Sequence, residues 1–202
     1  MSILEFASVD LTEKLANKVV AIAASKGGIK ALENVLSMLP EDFSGAIIVV
    51  QHLSALFKSH LDKVLDRHTF LQVETAFEGA RLTAGKIYVA PSDLHVVVNQ
   101  DGTISLSDAA KEHFVRPSAE YTFKSLAENY RERAIAVVLT GYDGDGEQGV
   151  QKIKAMGGKV IAQDRQTSKV FDMPKTAIDT GCVDLILPLE QIADGIINMI
   201  DL

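Results

Sequence analysis

Three short runs in this chain are apolar at nearly every position: residues 19–24 (VVAIAA), 45–50 (GAIIVV) and 134–140 (AIAVVLT). A strand that faces water on one side alternates apolar and polar residues. A run without alternation, rich in β-branched residues, is buried on both faces, which calls for a parallel sheet covered by helices. The intervening segments fit. Residues 28–39 carry Ile29, Leu32, Val35, Leu36 and Leu39 at helical spacing up to Pro40, and residues 56–68 gather Phe57, Leu61, Val64 and Leu65 on one side. Pro117-Ser118 opens a helix that runs to Tyr130, a further helix reaches Met156, and residues 173–180 and 189–200 have helical patterns. Residues 159–162 and 183–187 read as strands between them. This alternation predicts an α/β fold: a three-layer α/β/α domain on a mostly parallel, doubly wound sheet with right-handed crossovers.

One region breaks the alternation. Residues 73–76, 86–90, 94–99 and 103–106 are short strand-like runs separated by Gly85, Pro91-Ser92-Asp93 and Gln100-Asp101-Gly102, the last a hairpin signal. They are read as a small antiparallel hairpin excursion. Residues 1–18 have weak pattern and are read as a leader or arm, leaving residues 19–202 as a single domain.

The 202 residues, 47% of them hydrophobic, suffice for one core. A formal charge of −7 argues against nucleic acid or an anionic membrane as partner. No apolar stretch approaches the ~18 residues of a membrane span, and no basic-then-apolar signal opens the chain. A cytoplasmic location is expected. The single cysteine, Cys182, leaves no internal disulfide and no multi-cysteine metal site.

Ligands of open α/β sheets bind beyond the carboxyl ends of the strands. Ser25 follows the first apolar run, His52 the second, and Asp143 and Asp145 the run ending at Thr140. A serine hydroxyl becomes a nucleophile when a base of suitable pKa takes its proton, and a carboxylate fixes that base's tautomer. Ser25 also stands at a strand–turn–helix junction, where the backbone N–H groups of Lys26, Gly27 and Gly28 can face an anion. The competing reading is a serine that caps the helix. The chain order Ser…His…Asp and the sequence Ala24-Ser25-Lys26-Gly27, without a glycine two residues before the serine, separate this chain from the α/β-hydrolases. Gly27-Gly28 does not complete a dinucleotide fingerprint, and residues 143–147 lack the spacing of a calcium loop. The remaining histidines, His60, His68, His95 and His113, are read as surface or supporting residues; His95 also falls in a motif described next.

Seven segments in order resemble the catalytic domain of CheB-type chemotaxis protein-glutamate methylesterases. Residues 22–28 (IAASKGG) are similar to the family's I-G-A-S-T-G-G, Gln51-His52 to Q-H, and residues 90–95 (APSDLH) to A-P-G-D-x-H. Residues 116–118 (RPS), 139–146 (LTGYDGDG), 162–164 (AQD) and 171–174 (FDMP) are similar to R-P-S, L-T-G-M-G-x-D-G, A-Q-D and F-G-M-P. The resemblance implies Ser25 as nucleophile, His52 as base, Asp145 as the orienting acid, and the backbone N–H of Tyr142 as part of an oxyanion hole. It implies hydrolysis of γ-glutamyl methyl esters on the cytoplasmic domain of chemoreceptors, in chemotaxis adaptation or related signal transduction, with glutamine deamidation as a second activity. No cofactor or metal is implied. About 18 residues precede the first strand, too few for the family's receiver domain, so control by a fused receiver is not expected in this chain.

Ala23, Lys26, Asp143 and Asp172 depart from the family pattern, replacing glycine, a small hydroxylic residue, glycine and glycine. Asp143, as a second carboxylate near His52, would favour imidazolium. Lys26 is expected to offset it by pairing with Asp143 across the mouth of the site. The alternative is a catalytically altered domain serving as a protein-interaction module.

Overall fold

The computed structural model describes residues 15–53, 59–112 and 114–201. Seven strands form one parallel sheet: β1 (Val19–Ala24), β2 (Ala46–Gln51), β3 (Gln72–Thr75), β4 (Lys86–Val89), β7 (Ala134–Val138), β8 (Lys159–Gln163) and β9 (Leu185–Leu187), in the order β3-β4-β2-β1-β7-β8-β9. β1 is central, pairing Ala24 with Gln51 of β2 and Ala23 with Val138 of β7. Alternate β1 residues feed two separate cores. Val20, Ile22 and Ala24 pack with α1 (Gly28–Ser37), α2 (Leu61–Leu65) and α6 (Ile192–Asp201). Val19, Ala21 and Ala23 pack under α3 (Ala119–Tyr130), α4 (Glu147–Ala155) and α5 (Asp172–Asp179). Burial on both faces is why the β1, β2 and β7 runs show no alternation.

The excursion is smaller than the sequence pattern suggested. Only β5 (His95–Val98) and β6 (Ile104–Ser107) form an antiparallel hairpin. β3 and β4 instead pair parallel to one another and extend the main sheet beyond β2. A parallel crossover needs backbone partners, usually supplied by a helix. Here the extended β3–β4 connection is paired by the hairpin: Gly79 N–H donates to Ile104 O, Ile104 N–H to Ala80 O, and Leu82 N–H to Gly102 O. Val96, Val98 and Ile104 then bury against the α3 core.

The predicted helix over 56–68 is shorter, α2 followed by a 3-10 turn at Asp66–His68; its first part, residues 56–58, lies outside the described residues, as do residues 1–14 of the expected arm. No helix among the described residues is long and apolar enough to cross a membrane.

Candidate active site

The strand order makes the space beyond β1 and β7 a switch point: the chain leaves β1 towards β2 and leaves β7 in the opposite direction, towards β8. Ser25, His52 and the 141–146 loop all emerge there. Ser25 N–H donates to Thr140 O at 3.0 Å, so the serine is stitched to the end of β7. Its hydroxyl makes no hydrogen bond with any described residue. The helix-capping reading of Ser25 fails on geometry: the N-cap of α1 is Gly27, at φ +85°, and no side chain caps the helix. Gly28 N–H turns back onto Ser25 O at 2.9 Å, a tight turn that leaves the hydroxyl unused.

His52 lies almost fully buried beside Asp145, with Nε2 2.8 Å from Oδ2. Its other ring nitrogen, Nδ1, has no partner among the described residues. A carboxylate at Nε2 selects the tautomer protonated there, leaving the Nδ1 lone pair open as a base. The nitrogens thus exchange the duties they have in chymotrypsin-type triads, where Nδ1 faces the carboxylate.

Asp145 is held from every side. Oδ1 accepts from the Ser118 hydroxyl at 2.5 Å and from Glu120 N–H at 3.3 Å, and Oδ2 accepts from Ala119 N–H at 2.6 Å as well as from His52. These N–H groups belong to the first turn of α3, where the helix dipole favours an anion. Burial pushes the Asp145 carboxyl up, but the hydrogen bond and charge interaction with His52, with the hydrogen bonds from Ser118 and Ala119, outweigh it and hold the group below the usual carboxylate range. Glu120 returns the favour: its two carboxylate oxygens accept Gln148 N–H at 2.8 Å and Gly149 N–H at 2.6 Å, the first turn of α4. α3 therefore carries the acceptor for the first turn of α4, the loop before α4 carries the acceptor for the first turn of α3, and the loop bearing Asp145 is locked between them.

Two supporting residues carry no local signal of their role. Gln51 ends β2, and its single amide nitrogen donates to both Ser25 O at 2.9 Å and His52 O at 3.0 Å, tying the two loops together. A side chain at Gly28 would come 2.2 Å from Gln51 Oε1, so the clamp requires glycine there. His95, fully buried and stacked on Tyr121, accepts Ser118 N–H on Nδ1 at 3.1 Å and donates from Nε2 to Ala110 O. Burial lowers its pKa, consistent with a neutral ring that accepts at one nitrogen. The motif residues Gln51 and His95 were visible in sequence; the bonds that employ them were not.

Ser25, Lys26, Gly27, Gln51, His52 and Tyr142 line one cleft of about 430 Å³. The backbone N–H groups of Lys26 and Tyr142 have no acceptor among the described residues. Gly28 N–H is spent on Ser25 O and so is not a free donor. Gly141 permits the close approach of the two loops: a Cβ there would stand 2.7 Å from Ser25 Cβ and 2.2 Å from Met173 Sδ. The arrangement offers a free hydroxyl, a base fixed by a buried carboxylate, and open N–H donors from two loops.

The family profile of the CheB methylesterase domain matches residues 20–196. The chain belongs to the CheB methylesterase family. The crystal structure of the Thermotoga maritima CheB methylesterase catalytic domain superposes with a TM-score of 0.87 at 38% identity, covering 90% of this chain and 98% of that one. A protein-glutamate methylesterase/protein-glutamine glutaminase of Pyrococcus abyssi is 40% identical over 186 residues, 91% of this chain and 50% of its own length. A putative enzyme of the same name from Leptospira interrogans is 36% identical over 180 residues, 89% of this chain and 93% of its own. The chain thus spans about half the length of several curated relatives it matches, and nearly all of another.

Among the positions where the chain departs from the CheB pattern, one expectation is corrected. Lys26 is exposed and enters no ion pair with a described residue, so the Lys26–Asp143 pair does not form. Asp143, at φ +67°, turns Oδ1 back to accept Asp145 N–H at 3.1 Å. An Asx-type bond of this kind suits a short acidic side chain in the left-handed region, so Asp143 braces the Asp145 loop.

Proposed function

We propose that this protein hydrolyses γ-methyl esters of protein glutamates, and deamidates protein glutamines, through a Ser25 acyl-enzyme. The observation that carries the reading is His52, fixed by the buried Asp145 through Nε2 and left open at Nδ1 in the cleft that Ser25 lines. His52 Nδ1 takes the Ser25 proton as Oγ attacks the γ-carbonyl. The Lys26 and Tyr142 N–H groups hold the oxyanion, a contribution worth about 10²–10³-fold per donor in comparable sites. The imidazolium returns its proton to the leaving methoxide or amide nitrogen, releasing methanol or ammonia. Water, deprotonated by His52, then attacks the acyl-serine, frees the glutamate carboxylate and restores the hydroxyl. The names of the relatives support a protein glutamate or glutamine as substrate, and the chemotaxis-type motifs point to the cytoplasmic domain of a chemoreceptor.

The direct test is methanol release from a methyl-esterified chemoreceptor signalling domain, with ammonia release from its glutamines measured in parallel. Methanol in amounts matching the ester consumed, stopped by a phosphonofluoridate whose mass appears on the Ser25 peptide, is the expected result. Release no faster than in buffer, or a label on another residue, overturns the reading.

The Gln51 clamp makes a separate prediction. Gln51→Met keeps the volume and loses both hydrogen bonds, so phosphonofluoridate labelling of Ser25 is expected to slow about 10- to 100-fold. The loss of two hydrogen bonds to buried carbonyls should also lower stability by about 1–3 kcal/mol, read by denaturant titration.

A further inference from the structure

Three lysines, Lys26, Lys30 and Lys169, line the Ser25–His52 cleft, and among the described residues no carboxylate does. This positive rim sits on a chain whose net charge is −7. We propose that it is a docking surface for an acidic protein segment, so that the preferred substrate is an ester or amide whose neighbouring residues are carboxylates. The inference rests on the hydrolase reading above and specifies its substrate.

The three lysines are left without counterions inside the protein: none pairs with a described residue. By contrast Lys124, Lys152, Lys154, Lys159 and Lys175 each have a carboxylate partner. Their placement also runs against helix electrostatics. α3, α4, α5 and α6 carry an acid in the first turn, whereas α1 has none and places Lys30 there instead. Cations near an uncapped helix N-terminus are unfavourable in the free protein, and a local rule broken at a reactive site points to a ligand of opposite charge.

Lys169 comes from a different loop, and that loop is pinned. Ser168 Oγ donates to Asp164 O at 2.6 Å, Val170 N–H to Thr140 Oγ1 at 2.9 Å, and Gly141 N–H to Val170 O at 3.0 Å. The Lys169 stem packs on the turn after Ser25, where a Cβ at Gly27 would lie 2.9 Å from Lys169 Cβ. Positive charge therefore comes from both the α1 side and the β8–α5 side of the reactive serine. The nearby acids are otherwise engaged or placed: Asp143 accepts Asp145 N–H, and Asp172 opens α5. Half-exposed Tyr142 and Ile29 supply apolar surface between the charges. An acidic segment is repelled by most of this protein and attracted at the cleft, which raises its encounter rate where the chemistry occurs.

The test uses two helical peptides with a central glutamate γ-methyl ester, flanked one turn away on each side by glutamates in one and glutamines in the other. A small uncharged ester, the N-acetyl α-amide of glutamate γ-methyl ester, reports the chemistry alone. At low salt kcat/KM for the glutamate-flanked peptide is expected to exceed that of its partner about 10-fold, with the preference shrinking at 0.5–1 M NaCl, where screening is within about 3–5 Å. Lys30→Gln with Lys169→Gln should bring the ratio of the two peptides towards one. Equal rates for the two peptides, or a preference that survives the double substitution, overturns the rim. If none of the three esters is hydrolysed, the hydrolase reading falls, and the rim is judged by binding of fluorescent forms of both peptides to Ser25→Ala protein. Tighter binding of the acidic peptide, lost in the lysine variants, upholds it, and equal binding refutes it.

Discussion

Ser25→Ala is expected to abolish methanol release, with kcat lower by about 10⁴-fold or more, while the folded protein stays as stable as before. The two halves of that result come from the same observation. The Ser25 hydroxyl makes no hydrogen bond with a described residue and does not cap α1, so its removal leaves no buried partner behind. Thermal unfolding should shift by less than about 2 °C, since about 1 kcal/mol corresponds to 2–4 °C in a chain of this size. A large fall in stability would mean that the hydroxyl has a structural bond. Undiminished turnover would move the nucleophile elsewhere. A protein that served only as an interaction module would show no difference between Ser25→Ala and the parent in any assay.

Asp145 should behave in the opposite way, losing activity and stability together. Asp145→Ala strips His52 of its tautomer-fixing partner and leaves the Ser118 hydroxyl and the Ala119 N–H without their acceptor, while Glu120 N–H keeps only its bond to Ser118 Oγ. Loss of a carboxylate-oriented histidine costs about 10⁴-fold in kcat in comparable triads. Loss of a helix cap together with buried, newly unsatisfied donors should destabilise by about 2–4 kcal/mol. Asp145→Asn separates the two effects: its amide oxygen still accepts at the α3 terminus, so much of the stability returns, but an amide facing Nε2 favours the wrong tautomer and activity stays low. The pH dependence has a definite sign. Asp145 has a lowered pKa in the folded protein, so its ionisation stabilises the fold fully above the unfolded carboxyl value near 4 and is lost as pH falls through the folded value. The stability gap between parent and Asp145→Asn, followed by denaturant titration from pH 7 downwards, should therefore narrow at acid pH. A gap constant across that range would mean that Asp145 is not held ionised by its cradle.

Much of the site was legible because it is written at strand ends. A buried parallel strand advertises itself as an unbroken apolar run, and the polar residues soon after it fall at the ligand-binding edge; that rule drew out Ser25, His52, Asp143 and Asp145, and the resemblance to the CheB family singled out Asp145 of the two aspartates. The short strands were misjudged because four residues of pattern identify a strand but not its partner. Gln72–Thr75 and Lys86–Val89 joined the parallel sheet because the hairpin supplied backbone partners for the crossover between them. The opposite charges of Lys26 and Asp143 suggested a pair, yet a carboxylate two residues from Asp145 found a nearer donor in its backbone N–H.

The amino-acid order by itself determined the parallel α/β sheet, its two buried faces and the residue types at its reactive edge, since these follow from hydrophobic run length and from the position of polar residues along the chain. Only the tertiary structure decided which ring nitrogen of His52 is open, that Gln51 reaches across to Ser25, and that Asp145 accepts at the start of α3 while Glu120 accepts at the start of α4. Apart from the Gln51 bond to its neighbour His52, those bonds join groups 25–29 residues apart or, for His52 and Asp145, 93 apart. Hydrogen bonds act over about 3 Å of space, and no spacing along the chain encodes a contact that exists only once the strands have been brought side by side.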